Sequence, residues 1–353
     1  MIPLFKFPSI GQFKETVTNM KKLNISENIV FISSPKMHGT NSGIGYSEKH
    51  GLWCQSHRRI LTLENDNYNF NRWIEEKRDT VIPFMKSMAS FYNIDLEKNV
   101  IILYGEFCGG KVQKNVALNG LDLMLVIFDV ATATYEDCEK TEDVYLQWFD
   151  LPPPNFSFPT SIYNVQQFGT YRIEIGLDNK AEIQNKLVEM TNEVEKECPV
   201  GKYFGRVVAQ DCTTGEGIVW RCSYKLENGS SQILRFKVKG KEHSTSKVKT
   251  MTGVNVEHIN DMTKFVELSV TENRLNQGIS EIFGAEDPDF KSLGKFNQWV
   301  IHDVKKEDMS AFPFLEDYEG KNGEEKQKHV TKLLNKSISQ KCTEWFRVLM
   351  RKA

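Results

Sequence analysis

The chain runs to 353 residues, 40% hydrophobic and 26% charged, with a formal net charge of -2. That length suffices for two domains, each with its own core. The charge balance argues against indiscriminate polyanion binding but leaves room for a local basic groove. No apolar run approaches the ~20 residues needed to span a bilayer, and Met1-Ile2-Pro3-Leu4-Phe5-Lys6 lacks the apolar core of a signal peptide. A soluble intracellular protein, cytoplasmic or nuclear, with no membrane partner is expected. The seven cysteines (Cys54, Cys108, Cys138, Cys198, Cys212, Cys222, Cys342) include no Cys-x-x-Cys pair and read as reduced thiols rather than a disulfide framework or zinc site.

In chain order, runs of β-branched and aromatic residues predict strands at 29–32, 41–46, 100–104, 123–130, 217–224 and 233–238. Helical spacing predicts a helix over 70–92, broken or kinked at Pro83, and another over 180–197 that stops before Pro199. Strands joined without regular helical crossovers imply mostly antiparallel sheets with flanking helices, an α+β fold. After about Gly240 the strand signals fade. Amphipathic windows at 256–266, 271–283, 294–304 and 324–350 predict a small all-α domain. The last of them sets Val330, Leu333, Leu334, Ile338, Trp345 and Leu349 near one packed face. The expected division is a domain over 1–240, a polar lysine-rich linker over 241–254 and a helical domain over 255–353.

Chemistry concentrates around Lys36, in Ser33-Ser34-Pro35-Lys36-Met37-His38-Gly39-Thr40-Asn41. The preceding strand would deliver this lysine from a rigid edge into a cleft. An amine attacks only when neutral, and an ordinary lysine near pKa ~10.4 is protonated at pH 7. Four later islands supply a context for it. In Tyr104-Gly105-Glu106-Phe107 a strand end presents a carboxylate that suits a ribose diol, or a salt bridge beside a turn. In Leu125-Val126-Ile127-Phe128-Asp129 the aromatic ring can stack on a purine or pack in the core. Gly215-Glu216-Gly217-Ile218-Val219 holds an acid between glycines, a simple tight turn or a carboxylate kept close to phosphate or a cation. Arg235-Phe236-Lys237-Val238-Lys239 puts Lys237 and Lys239 on one strand face, toward a phosphate or toward solvent at a sheet edge.

Together these motifs resemble the covalent nucleotidyltransferases, and specifically the RNA ligase 2 family of bacteriophages, to which the kinetoplastid RNA-editing ligases belong. Lys36-Met37-His38-Gly39-Thr40-Asn41 has that family's Lys-x-His-Gly-Thr-Asn form rather than the Lys-x-Asp-Gly form of DNA ligases and capping enzymes. Val112-Gln113-Lys114-Asn115-Val116 and, past the catalytic domain, Val270-Thr271-Glu272-Asn273-Arg274-Leu275 extend the likeness over essentially the whole chain. One departure is visible: Pro35 stands where family members commonly carry an acidic residue, which bears on base selectivity.

The resemblance implies an ATP-dependent RNA ligase working with Mg²⁺ or Mn²⁺ through a lysyl-AMP intermediate on Lys36. Glu106 would hold the ribose and Phe128 would stack on adenine, while Lys237 and Lys239 grip the reacting phosphate and lower the pKa of Lys36. Glu216 would bind or position the metal, and His38 and Asn41 would order the turn and contact phosphates. Arg58 and Arg59 form the basic segment that meets AMP phosphate or the nucleic acid, with Lys114 a further nucleic-acid contact. The implied substrate is a nicked duplex RNA or RNA/DNA hybrid, bound by a monomer, with Lys332, Lys336, Lys341 and Arg347 as candidate backbone contacts. The competing readings are an ATP-dependent DNA ligase or GTP-dependent capping enzyme and, in another class, a non-catalytic nucleic-acid-binding protein.

Overall fold

The structure is a computed structural model. It describes residues 2–112, 117–140, 144–178, 180–205, 214–226, 231–240, 262–284, 286–308 and 323–352. The chain divides into two compact units, Met1–Gly240 and Lys241–Ala353. The stretch 241–254, expected as a linker, lies outside the described residues.

The first unit is built on two sheets. Strands β1 (Ile29–Pro35), β9 (Arg172–Ile175), β10 (Gly217–Lys225) and β11 (Ser231–Lys239) form a four-stranded antiparallel sheet in the order β11-β10-β1-β9. The second sheet has seven strands: β2 (Thr40–Ser47), β3 (Gly51–Ser56), β4 (Ile60–Leu61), β5 (Asn99–Cys108), β6 (Met124–Thr134), β7 (Gln147–Phe149) and β8 (Ile162–Asn164). Its order is β4-β3-β2-β5-β6-β7, with β8 lying parallel to β6. The mostly antiparallel pairing is the α+β architecture expected.

Alternation along the strands decides which face is packed. Ile29 and Phe31, Ile218 and Trp220, and Leu234 and Phe236 form one core with helices α1 (Phe13–Lys22) and α5 (Lys180–Lys196). On the seven-stranded sheet Ile44, Ile101, Leu103 and Ile127 pack against α2 (Phe70–Glu75) and α3 (Arg78–Phe91). Short helices α4 (Tyr135–Lys140) and α6 (Pro199–Tyr203) follow β6 and α5 respectively. The opposite sheet faces, period two being strict, carry the functional side chains.

The break expected at Pro83 falls instead at Glu76–Lys77, between α2 and α3, and Pro83 lies within α3. It sits in the helix's second turn, where the proline removes only the partner of the Asp79 carbonyl while Val81, Phe84, Met85 and Met88 bury one face against the sheet. Apolar packing outweighs one lost hydrogen bond there.

The second unit consists of α7 (Met262–Ser269), α8 (Glu272–Phe283), α9 (Leu293–Asp308) and α10 (Gly323–Lys352) around a core of Phe265, Leu275, Phe296, Val300, Leu334, Ile338 and Phe346. Leu333, expected on the packed face of α10, is 42% exposed: the buried stripe runs in steps of four through Val330, Leu334, Ile338, Cys342 and Phe346. Arg274 is fully buried and ion-paired to Asp303 and Asp308 at 2.8 and 2.7 Å, a structural use of the Thr-Glu-Asn-Arg segment. Among the described residues no helix is long and apolar enough to cross a membrane. The described cysteines Cys54, Cys108, Cys138, Cys198, Cys222 and Cys342 are free.

Candidate active site

Lys36 follows β1 directly, and its backbone N–H donates to the Gly217 carbonyl at 2.8 Å. The first turn of the lysine motif is thus held beside the start of β10. Gly217 has φ +147°, and a Cβ there would lie 2.2 Å from the Val238 carbonyl oxygen. Glycine is therefore required for β10 to begin this close to β11, and the close approach brings Glu216 beneath Lys239.

The result is a compact charge cluster. Glu216 Oε2 is 2.7 Å from Lys36 Nζ and 3.8 Å from His38 Nδ1, and Glu216 Oε1 is 3.2 Å from Lys239 Nζ. Burial alone would raise the Glu216 pKa, but the Lys36 and Lys239 ammonium groups and His38 outweigh it and hold the carboxyl well below its usual range. Burial pulls Lys239 below the ordinary lysine value; Glu216 opposes the shift, and Lys36 and Lys237 reinforce it. A small pocket opens beside Lys36, His38 and Glu216, with Met37, Leu118 and Val200 on its apolar side.

Register extends the cluster along the sheet. Val219 pairs with Lys237 and Ser34, and Arg221 with Arg235 and Ile32. Since Ile218, Trp220, Phe236 and Val238 belong to the core, Val219, Lys237 and Lys239 line the other face.

The second sheet carries the rest. Gly39 packs so closely on β5 that a Cβ would lie 2.3 Å from the Phe107 carbonyl oxygen, and its N–H donates to Glu106 Oε1 at 3.1 Å. Asn41 is the cross-strand partner of Glu106. Phe128 is the extra residue of a β-bulge: Tyr104 pairs with Asp129 and Gly105 with Ile127. A bulge re-aims a side chain, and here Phe128 sits partly buried where two apolar clusters meet.

Asp129, next to it, receives Arg221 Nε at 3.2 Å and Arg235 Nε at 2.8 Å, which ties β6 to β10 and β11. Arg221 also donates to the Phe149 carbonyl at 2.8 Å and pairs with Asp150.

Arg58 and Arg59 diverge. Arg58 is exposed, whereas Arg59 is partly buried and donates from Nη2 to the Asp66 carbonyl at 3.1 Å. Its Nε is buried with no hydrogen-bond partner among the described residues. The adjacent Asn67 donates from Nδ2 to Thr40 Oγ1 at 2.9 Å, so one loop holds both Arg59 and the lysine motif. Nothing in the sequence pattern singles out Asn67. Lys114 lies outside the described residues.

A metal has a plausible seat but not a protein cage. Among the described residues no three His, Cys, Asp or Glu side chains group as a metal site. Mg²⁺ commonly takes one or two carboxylates and completes its shell with phosphate and water. Glu216 fits that role.

Two mostly antiparallel sheets thus carry, on or beside their strands, a lysine, two acids and a lysine pair. The RNA ligase family model matches residues 30–239, which is more than half of the 353-residue chain, and the chain belongs to that family. No curated protein sequence matches it. Among solved structures it is similar to a Naegleria gruberi RNA ligase mutant with AMP and Mn (16% identity, TM-score 0.39, covering 68% of this chain and 58% of that one). The same organism's ligase with PPi aligns at 16% identity and TM-score 0.39, over 68% of this chain and 59% of that one. The chain thus spans less than two thirds of these structures, and the family match carries the assignment.

Proposed function

We propose that the chain is an ATP-dependent RNA ligase of the bacteriophage RNA ligase 2 type. It would seal 3′-OH/5′-phosphate breaks, preferably nicks in duplex RNA or RNA/DNA hybrids, through lysyl-AMP on Lys36. The observation that carries the reading is the Lys36–Glu216–Lys239 cluster.

In the first transfer the neutral amine of Lys36 attacks the α-phosphorus of ATP. A phosphoramidate bond forms, the bond to the bridging oxygen breaks, and pyrophosphate leaves. AMP then passes to the 5′-phosphate of the nick, and the 3′-OH attacks that activated phosphate and expels AMP. In-line geometry and charge neutralisation do most of the work in such transfers. Lys237 and Lys239 neutralise charge on the reacting phosphate, and His38 and Asn41 order the turn and contact phosphate. Glu106 exchanges its bond to the Gly39 N–H for the ribose hydroxyls. A bound Mg²⁺ or Mn²⁺ would supply further neutralisation of phosphate charge, with Glu216 as its protein ligand. Arg59, anchored at one guanidinium nitrogen and with Nε still unbonded among the described residues, is better placed for phosphate than exposed Arg58.

On α10, exposed Lys332, Lys336 and Arg347 suit duplex phosphates, recognised in A-form RNA through shape and backbone. Lys341 is otherwise engaged: its Nζ donates to the Val266 and Glu267 carbonyls at 3.3 and 3.2 Å.

Intact mass after incubation with ATP and Mg²⁺ tests the reading. An added AMP, absent in Lys36→Ala, is expected; folded protein without an adduct would favour a binding module, and transfer of GMP instead of AMP a capping enzyme. A panel of nicks with RNA or DNA on each side then fixes the strand preference.

A further inference from the structure

The segment ahead of α1 is not absorbed by this reading. Residues 3–8, Pro-Leu-Phe-Lys-Phe-Pro, put two aromatic rings two positions apart between prolines. Prolines favour extended backbone and remove donors, so such a segment crosses sheets more readily than it joins one.

It is anchored at both ends. The buried Gln55 amide donates to the Phe5 carbonyl at 2.6 Å and accepts from its N–H at 3.3 Å, and Tyr104 Oη donates to the same carbonyl at 2.9 Å. At the other end the Gly11 carbonyl accepts the Lys237 N–H at 3.0 Å. The first anchor is on the seven-stranded sheet and the second on the four-stranded sheet, so these residues run from one wall of the cleft to the other.

Between the anchors Phe7 is buried among the groups that shape the cleft. Its ring lies 5.1 Å from Phe128 at 68°, 5.1 Å from Tyr104 and 5.7 Å from Trp148. The Arg235 guanidinium stands 5.4 Å over it. Phe7 therefore backs Phe128, the ring read here as the base wall, while its own chain continues to the backbone of Lys237.

We propose that residues 5–11 form a strap that fixes the spacing between the base wall and the phosphate wall, with Phe7 as the positioning residue that holds Phe128 against the nucleotide base. The proposal rests on the ligase reading for the identity of the nucleotide. The strap acts on binding: it is held by Gln55, Tyr104, Phe128, Trp148, Arg235 and the backbone of Lys237. A wedge behind Phe128 should therefore govern the affinity for ATP and leave the maximal rate of adduct formation nearly intact.

The test compares the full chain with Phe7→Leu and Phe7→Ala, and with Phe84→Leu as a control in the core on the far side of the seven-stranded sheet. Rates of lysyl-AMP formation are read across ATP concentration, calorimetric ATP Kd in parallel, and Tm for each variant. Phe7→Leu should raise KM and Kd for ATP roughly tenfold, about one aromatic contact, with the maximal rate within about twofold. Phe84→Leu should change Tm and not KM. Unchanged KM and Kd in folded Phe7→Leu, or losses that track Tm as they do in Phe84→Leu, would overturn the strap. If the wild type binds ATP but forms no adduct, the ligase reading fails and the Kd comparison still decides the strap. A wild type that binds no ATP overturns both.

Discussion

Lys36 Nζ lies 2.7 Å from Glu216 Oε2, so the candidate nucleophile is held as half of an ion pair. A carboxylate at that distance favours the ammonium form, the unreactive one. In the ligase reading, a cation held by Glu216 would offset its negative charge and free Lys36, while Lys239 and Lys237 remain.

Replacing Glu216 should be doubly damaging. Glu216→Gln leaves two partly buried ammonium groups without their counter-charge, a loss of about 3 kcal/mol by the usual cost of breaking a buried pair. Denaturant unfolding measures it. Adduct formation should fall by more than roughly a hundredfold, since the proposed roles of Glu216 in orienting Lys36 and in holding a metal would both be lost.

The same residue sets an acid-side pH dependence. Its folded pKa lies below the ordinary value of 4.5. Its stabilising contribution is fully present above that ordinary value and is lost as pH falls through the depressed folded one. Unfolding free energy measured from pH 6 down to about pH 3 should decline in the wild type, and Glu216→Gln should remove part of that slope.

Arg59 and Arg58 should separate in kinetics. Arg59→Ala is expected to slow adduct formation or sealing by roughly ten- to a hundredfold, one charge-assisted phosphate contact, and Arg59→Lys to rescue little because the fork geometry is lost. Arg58→Ala should cost less than about threefold.

Asp129→Ala removes the shared partner of Arg221 and Arg235, which face each other across β10 and β11. A loss of about 3–5 kcal/mol is expected, with Asp129→Asn intermediate, read from the midpoint of thermal or urea unfolding.

On α10 the lysines should divide by role. Lys332→Ala and Lys336→Ala should each flatten the salt dependence of duplex binding by about one unit of slope and leave Tm unchanged. Lys341→Ala should lower stability by about 0.5–1 kcal/mol through the lost bonds to the C-terminal carbonyls of α7 and leave the slope alone.

Much of the fold was legible in the chain. The 180–197 helix, the strands carrying Glu106, Phe128 and Lys237 and those that border Lys36 and Glu216 emerge within a few residues of their expected bounds. Short strands did not announce themselves: β7, β8 and β9 are three or four residues long and are specified by their neighbours. The break between α2 and α3 was displaced from Pro83 because burial of an apolar face outweighs a local backbone preference.

The sequence by itself determined which residues are candidates for chemistry: a lysine after a strand, an acid between glycines and two lysines of one strand face stand out by residue type and period. Only the tertiary structure decided which groups meet. Register put Lys36 beside Glu216, a bulge turned Phe128 and Asp129 to the same side, and residues 5–11, silent as a motif, came to span the cleft. Pairing register, bulges and long-range anchors depend on contacts between residues far apart in the chain, such as Phe5 with Tyr104 and Arg235 with Asp129. No local pattern encodes them.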